Sequence, residues 1–166
     1  MLQMDLVARA ISLATAAHTG QVDKGGNPYI LHCLAVMEIV SRRVQASESH
    51  GPLEQYQAAA VLHDVLEDTP ITPDLLRALE VPERVVSAII VLTRAPDEPY
   101  AEYLELIVKR AQCAPTDYLP LVVKLADLEH HLDTSRVHQI TKSQAERYRQ
   151  AKATLEAAMG LTPVTA

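Results

Sequence analysis

Apolar residues recur three and four positions apart along most of the chain, which is the spacing of the buried face of a helix. The first run covers residues 6–17 and ends at Thr19-Gly20, and residues 21–29 are rich in turn formers and predict a loop. The later runs predict helices over residues 30–44, 53–66, 73–79, 82–93, 99–112, 115–132 and 141–159. Since neither strand alternation nor an internal repeat is found, we expect a single compact all-α domain.

The length and composition support this expectation. A chain of 166 residues fits one domain with its own core. Its apolar residues are mostly Ala, Leu and Val, with no Phe or Trp, which suits closely packed helices better than a β-sheet. Gly160 fits a helix stop, so we expect the domain to cover residues 1–159 and residues 160–166 to form a flexible tail.

The charge limits the classes of partner. Fifteen basic and 21 acidic residues give a net charge of −6, which repels nucleic acid but leaves a small phosphorylated ligand open. The N-terminal residues lack the pattern of a signal peptide, and no run approaches the ~20 apolar residues that span a bilayer. We therefore expect a cytoplasmic protein that binds neither nucleic acid nor membranes.

The candidate functional residues are His32, the His63-Asp64 pair and Asp127. Each lies inside a strongly apolar run that predicts a helix: YILHCLAV, AAAVLHDVLEDT and LPLVVKLADLEHH. A buried His or Asp must be hydrogen-bonded, paired or metal-bound, because an isolated buried charge is unfavourable. For one such His, a hydrogen-bonded core position is the commoner explanation. Two imidazoles and two carboxylates together would leave open positions on an ion that prefers six ligands.

Four segments carry a resemblance to a known family, the HD-domain phosphohydrolases. The chain is most similar to the hydrolase domains of the bacterial alarmone enzymes, which remove pyrophosphate from the 3′ position of guanosine tetraphosphate, and to their small stand-alone relatives. The matching segments are AAHTGQVDKGGNPYILH at 16–32, VLHDVLEDT at 61–69, LTRAPDEPYAEYLELI at 92–107 and VVKLADLEHHLDTSR at 122–136. Their order and spacing match as well, so the resemblance covers roughly residues 5–136. It implies a single-domain HD fold.

The resemblance also implies a metal site and a catalytic pair. One divalent ion would be held by His32, His63, Asp64 and Asp127. Manganese is the first expectation, with cobalt, iron and magnesium as alternatives. Glu67 and Asp68 would orient or activate the attacking water. On a continuous helix these two carboxylates would follow His63 and Asp64 by one turn, about 40° around the axis.

A further set of residues is expected to contact the nucleotide: Lys24, Tyr29, Arg94, Tyr100, Tyr103, His131 and Arg136. Lys24 and Tyr29 would line the entrance. His131 follows Asp127 by one turn, and its sequence position fits a surface residue, an added ligand or a support for a ligand. Arg136 could close the pocket or pair with Asp133.

Three positions depart from the family pattern. Asp23 stands where the alarmone hydrolases usually have an Arg that packs against guanine, and the run ADLEHH replaces ADRLHN, so Leu128 and His131 replace an Arg and an Asn. These changes leave the expected metal ligands in place but alter the expected base and sugar contacts. Two alternatives to alarmone hydrolysis therefore stay open: a simpler nucleotide monophosphate phosphatase, and a sensing module that binds a nucleotide without turnover. Monomer and homodimer are both compatible with the sequence.

Overall fold

A computed structural model describes residues 5–46, 51–113 and 117–160. Within these ranges the chain is helical, without strands, and an isolated antiparallel bridge joins Val22 and Pro28. The elements are α1 Leu6–Ala17, α2 Ile30–Gln45, α3 Leu53–Val61, α4 Val65–Asp68, α5 Pro73–Ala78, α6 Glu83–Leu92, α7 Tyr100–Cys113, α8 Leu119–Leu132, the 3-10 helix Val137–Gln139, and α9 Lys142–Ala158. The all-α expectation is confirmed.

Helices α1, α5 and α9 each begin where a side chain accepts a hydrogen bond from a free backbone N–H group. The side chain of Asp5 accepts a hydrogen bond from the backbone N of Ala8 at the start of α1 (2.7 Å). Thr72 caps α5, whose first residue is proline. Thr141 and Gln144 form a reciprocal capping box that begins α9. The capping box fixes the residue at which α9 begins, and this matters because α9 borders the functional site.

The core lies around α2, α3 and α8. Helix α2 packs against both α3 and α8, α1 packs on α3, and α9 packs on α8. Most of α8 is buried, which explains its nearly continuous apolar sequence. The largest fully buried side chains are Tyr56, Leu62, Leu76, Ile89, Ile107, Leu119, Leu121, Leu125, Leu128, Leu155, His32 and Val36.

The predicted helix over residues 53–66 is wrong in one important respect. The chain leaves the helix after Val61, turns through Leu62, His63 and Asp64, and resumes as the four-residue α4. On a regular helix, neighbouring side chains diverge by about 100°. The turn lets His63 and Asp64 face the same cleft, with His63 Nε2 and Asp64 Oδ2 3.0 Å apart. Apolar periodicity did not reveal this break because the residues on both sides remain in the core.

The other differences concern helix ends. Helix α8 begins at Leu119 rather than at 115, with Pro120 in its first turn, and residues 114–116 lie outside the described residues. The expected tail, apart from Gly160, also lies outside them, so the domain bounds stay a prediction. None of the helices in the described part of the chain is both long and apolar enough to cross a membrane.

Candidate metal and nucleotide site

Three of the four predicted metal ligands form a compact buried cluster. His32 lies in the first turn of α2, His63 in the turn after α3, and Asp127 in α8. Their exposed fractions are 1%, 3% and 5%. One ligand atom from each residue lies within 4.8 Å of the others. This mixed nitrogen and oxygen donor set is of a kind that first-row divalent metals bind.

Asp64, the fourth predicted ligand, lies at the edge of this cluster. Its Oδ2 atom is 3.0 Å from His63 Nε2 and 3.7 Å from His32 Nε2. The Tyr29 hydroxyl donates a hydrogen bond to the same oxygen (2.5 Å). Burial and the nearby Asp64 raise the pKa of Tyr29 far above its ordinary value, so the hydroxyl keeps the proton that it donates. Tyr29 therefore fixes the orientation of Asp64.

Three atoms in the cluster are buried and make no hydrogen bond with any described residue: His32 Nε2, His63 Nε2 and Asp127 Oδ1. Buried polar atoms are nearly always satisfied, so each unsatisfied group needs an explanation. These three converge at ion-pair distances, with Asp127 Oδ1 3.3 Å from His32 Nε2 and 3.8 Å from His63 Nε2. A cation bound between them would satisfy all three at once, so the residues present fit a metal.

The far side of each imidazole is held by a specific partner. His63 Nδ1 is 2.8 Å from the carbonyl oxygen of Ala60, and since a carbonyl only accepts, Nδ1 carries the hydrogen. His32 Nδ1 is 2.7 Å from Nδ1 of His130, with the ring centroids 4.9 Å apart and the ring planes inclined by 25°. Burial and the neighbouring His32 lower the pKa of His130 to about 4, so His130 is neutral. It can then accept a hydrogen bond from His32, leaving His32 Nε2 as the donor to a metal.

The carboxylates of the cluster favour positive charge between them. Burial alone would raise the pKa of Asp127, but Lys124 and His131 hold it well below its usual range. Lys124 Nζ contacts Asp127 Oδ2 at 2.8 Å and His131 Nε2 lies 3.1 Å from Oδ1. Burial also lowers the pKa of His63, yet Asp64 and Asp127 together raise it to about 10. The cluster thus attracts a cation at the position of His63 Nε2.

A first cavity of about 190 Å³ opens beside this cluster. Glu67 and Asp68 lie in its wall, and burial and the nearby Asp64 raise the pKa of both carboxyls. The Glu67 carboxylate also accepts a hydrogen bond from the backbone N of Arg94 (3.2 Å). Three cationic side chains share the cavity wall: Arg94, Lys124 and Arg147. Cations and two proton-accepting carboxyls around one metal cluster suit the chemistry of a phosphate ester.

A second cavity of about 230 Å³ adjoins the first. The two share Tyr29, His131 and Tyr148, so these three side chains lie between them. The wall of the second cavity also includes Lys24 and Arg136. It is formed mainly by the loop before α2 and by the segment that follows α8.

The structure brings all the residues predicted to bind substrate to one of these two cavities, although some have structural contacts. The Tyr103 hydroxyl donates to the carbonyl of Leu92 (2.7 Å), so it presents mainly its ring. Arg94 Nη1 donates to the carbonyl of Glu98 (2.8 Å). By contrast, the hydroxyl of Tyr100 is buried without a hydrogen-bond partner in the described chain. Arg136 pairs with Asp23 rather than with Asp133.

Sequence reasoning missed four contributors: His130, Lys124 as partner of Asp127, Arg147 and Tyr148. His130 and Lys124 lie one turn or less from Asp127, so their proximity was available from helical spacing. Arg147 and Tyr148 belong to α9, which is rich in polar and charged residues and buries Ala145, Ala151 and Leu155. Their position depends on how α9 packs on α8, which only the tertiary structure reveals.

Comparisons with known proteins show which proteins the chain is similar to. The chain is 32% identical over 155 residues to a probable GTP pyrophosphokinase of Mycobacterium leprae, covering 92% of this chain and 18% of that protein. It is 32% identical over 150 residues to a guanosine-3′,5′-bis(diphosphate) 3′-pyrophosphohydrolase of Haemophilus influenzae, covering 87% and 20%. The bifunctional (p)ppGpp synthase/hydrolase SpoT of Escherichia coli matches at 32% identity over 139 residues, covering 80% and 18%. The chain thus spans about a fifth of the length of these relatives.

A solved structure of a metazoan SpoT ortholog that hydrolyses ppGpp superimposes with a TM-score of 0.71 at 22% identity, covering 96% of this chain and 88% of that chain. This likeness confirms the predicted HD-domain fold. No protein-family model matches the chain. The relatives confirm the resemblance to alarmone hydrolases that the sequence motifs predicted.

Proposed function

We propose that this relative of the SpoT-type proteins is a metal-dependent pyrophosphohydrolase that converts guanosine 3′,5′-bis(diphosphate) and water into guanosine diphosphate and pyrophosphate. One observation supports it most strongly. Three buried metal-binding atoms of His32, His63 and Asp127, none of which makes a hydrogen bond in the described chain, converge within 4.8 Å beside Asp64. Next to them lies a cavity with two carboxyls and three cations.

We assign the metal to His32, His63, Asp64 and Asp127, as the sequence predicted. A divalent ion bound there would lower the pKa of a coordinated water and neutralise charge on phosphoryl oxygens. The mixed donor set favours Mn²⁺ as the first choice, with Co²⁺, Fe²⁺ and Mg²⁺ as alternatives. His130 and Ala60 hold the two imidazoles so that each Nε2 atom would face the ion, and Tyr29 and Lys124 hold the two carboxylates in place.

Glu67 is our choice for the general base, assisted by Asp68. The raised pKa of Glu67 makes its carboxylate a better proton acceptor than an ordinary glutamate. In the proposed reaction a water oxygen attacks the phosphorus linked to the ribose 3′ oxygen, the bond between that phosphorus and the 3′ oxygen breaks, and the attacking oxygen becomes part of the released pyrophosphate. The water proton passes to a carboxylate of this pair, which then gives it to the 3′ oxygen, so that this oxygen becomes the 3′ hydroxyl of guanosine diphosphate. Both carboxyls lie in the wall of the first cavity, within reach of a phosphate bound there.

The cationic side chains would hold the substrate phosphates. Arg147 is exposed on α9, and its guanidinium lies 5.0 Å from the centroid of the Tyr100 ring and 5.6 Å from that of Tyr148. Arg94 reaches the same cavity from the segment after α6. Lys124 is already paired with Asp127, so we assign it to the metal site rather than to the nucleotide. The 3′ diphosphate would therefore lie in the first cavity, between Arg94, Arg147 and the metal cluster.

The test is release of phosphate and pyrophosphate from a nucleotide panel that includes guanosine 3′,5′-bis(diphosphate). The protein is stripped of metal and reconstituted with Mn²⁺, Co²⁺, Fe²⁺ or Mg²⁺. We expect metal-dependent pyrophosphate release from the bis(diphosphate). Orthophosphate release from a nucleotide monophosphate alone would replace this proposal with a simpler phosphatase. Nucleotide binding without turnover in any metal would replace it with a sensing module.

A further inference from the structure

We infer that Arg136, positioned by Asp23, selects guanine over adenine in the second cavity. The inference rests on the proposed function, because it concerns the base of the same nucleotide. Arg136 Nη2 lies 3.0 Å from Asp23 Oδ2, and the side chains are exposed by only 16% and 6%. Both residues lie in the wall of the second cavity.

Asp23 is held in place by hydrogen bonds within its own loop, independently of Arg136. Its Oδ1 accepts hydrogen bonds from the backbone N of Gly25 and of Asn27, both at 2.9 Å. Its backbone N donates to the carbonyl of Asn27 (2.8 Å). Both carboxylate oxygens therefore already have partners, Oδ1 in the loop and Oδ2 on Arg136, and Asp23 has little capacity left to accept hydrogen bonds from a ligand. Asp23 is a positioning residue, and the guanidinium is the group that it positions.

The loop is held against the segment after α8 by a second contact. A Cβ atom added at Gly25 would lie 2.5 Å from Gln139 Nε2, so the absence of a side chain at Gly25 permits this close approach. The Asp23–Arg136 pair and the Gly25–Gln139 contact join the same two segments. The Asp23–Arg136 pair lies in the wall of the second cavity, and the Gly25–Gln139 contact holds the two segments together beside it.

Arg136 keeps donor capacity that the protein does not use. Its Nε is buried and makes no hydrogen bond with the residues that the structure describes. This unpartnered donor shows that the acceptors of the described chain do not saturate the guanidinium. A fixed guanidinium also offers several N–H groups in one plane. The cavity therefore favours a flat ligand whose edge carries two adjacent acceptors.

Guanine has that edge, since its N7 and O6 are both acceptors and match Arg in a bidentate pair. Adenine presents N7 beside an amino group, and that amino group would face the Arg136 donors. The rings of Tyr29 and Tyr148 lie between the two cavities. A nucleotide with its base beside Arg136 can therefore extend past these rings toward the metal cluster.

The experiment compares kcat/KM for guanosine 3′,5′-bis(diphosphate) and its adenosine counterpart, with Mn²⁺ present. We expect the parent protein to favour guanine by about 10- to 100-fold, the range of one bidentate contact. Arg136→Gln should reduce the ratio to within about threefold, mainly through KM. Arg136→Lys retains the charge opposite Asp23 but not the planar pair of donors, so it too should lose most of the preference. The matched control is Arg149→Gln, which changes an exposed arginine of α9 and should keep the preference for guanine.

Binding of guanosine diphosphate and adenosine diphosphate by calorimetry separates the two proposals. Guanine-selective binding that depends on Arg136, without turnover, would support the inference and overturn the proposed hydrolysis. Turnover with an unchanged base ratio in Arg136→Gln and Arg136→Lys would overturn the inference alone. That outcome is expected if the Asp23–Arg136 pair only holds the loop in place, because a looser loop would weaken the binding of both nucleotides equally. Circular dichroism confirms that each variant is folded before the ratios are compared.

Discussion

The metal side and the loop side of the cleft hold their polar groups in different ways. On the metal side, His32 and Asp127 project from α2 and α8, two helices of the core, and their buried atoms that make no hydrogen bond in the described chain face one point. On the loop side, Asp23 and Arg136 come from two irregular segments that are held together by an ion pair. The first region depends on the packed core for its geometry, whereas the second depends on a few polar contacts between loops.

This difference separates chemistry from specificity. Ligands placed on buried helices are held within the tolerance that a metal and a reacting phosphate require. Loops tolerate substitution more readily, so contacts to the base can change while the metal cluster stays constant. Of the three departures of this chain from the alarmone-hydrolase motif, Asp23 lies on the loop side, His131 lines both cavities, and Leu128 is buried in α8. Mutations on the metal side should therefore affect turnover most, and mutations on the loop side should affect recognition.

The largest effect is expected from Asp64→Ala. Removal of this carboxylate leaves the two imidazoles and Asp127 as the only predicted ligands, so metal binding and turnover should fall together. We expect turnover to drop by about a thousandfold or more, with metal content measured by mass spectrometry on the same samples. Asp74→Ala removes a carboxylate that is 94% exposed on α5 and should retain both properties. Parental turnover in Asp64→Ala would exclude the proposed metal site.

Glu67→Gln should separate chemistry from metal binding. The substitution keeps the shape but removes the base, so kcat should fall by about 10²- to 10⁴-fold while metal content is unchanged. The raised pKa of Glu67 also predicts the pH profile. A base acts only when ionised, so in the parent protein kcat should fall as the pH drops toward this pKa, above the usual range of a glutamate. Glu67→Gln should lose that acid limb, and Glu54→Gln, at an exposed position, should retain it.

His130→Phe tests whether the metal side needs its supporting contacts. Phenylalanine preserves a ring beside His32 but removes the acceptor for His32 Nδ1, so this imidazole loses its orientation. Loss of such a partner typically weakens metal affinity by about 10- to 100-fold. Titration with Mn²⁺ followed by calorimetry measures the change. His138→Phe, at an exposed histidine, is the matched control. Equal affinities of the parent and His130→Phe would remove His130 from the metal site.

The smallest effect is expected for the stability of Asp23→Asn. The backbone N–H donors and Arg136 lower the pKa of Asp23 although burial opposes them. A carboxyl with a depressed pKa stabilises the fold above its unfolded pKa of about 3.9, and this contribution is lost as the pH falls through the folded value. Asp23→Asn should therefore lower stability by about 0.5–1 kcal/mol at pH 7. The difference should shrink near pH 3, as measured by thermal unfolding, and a constant difference would contradict the assignment.

Much of the fold followed from the sequence because helical periodicity dominates it. His32 and Asp127 stood out because they are polar residues in apolar runs, and the structure brings them together with His63 and Asp64. The break at Leu62 did not follow, since a turn inside the core keeps the apolar pattern of a helix. The contributions of Arg147 and Tyr148 did not follow either. They lie on α9, and which residues of this helix face the site is decided only when α9 packs on α8.

The loop side shows a second limit. A sequence comparison identifies Asp23 as a departure from the family pattern but not as the partner of Arg136, which lies more than a hundred positions later in the chain. The spacing of the residues carries no sign of this pair, because it forms only when α8 brings its C-terminal segment to the loop before α2. The alternative considered for Arg136, a pair with Asp133, was local and incorrect. Ion pairs between irregular segments therefore require the tertiary structure.

The convergence of His32 Nε2, His63 Nε2 and Asp127 Oδ1 has a consequence for heat resistance. A ligand that binds only the folded chain raises its melting temperature by mass action. An ion present at about a hundred times its dissociation constant would add about 2.7 kcal/mol. For a domain of this size that corresponds to an increase of roughly 5 to 11 °C. Thermal denaturation with and without a chelator therefore reports metal occupancy before any substrate has been identified.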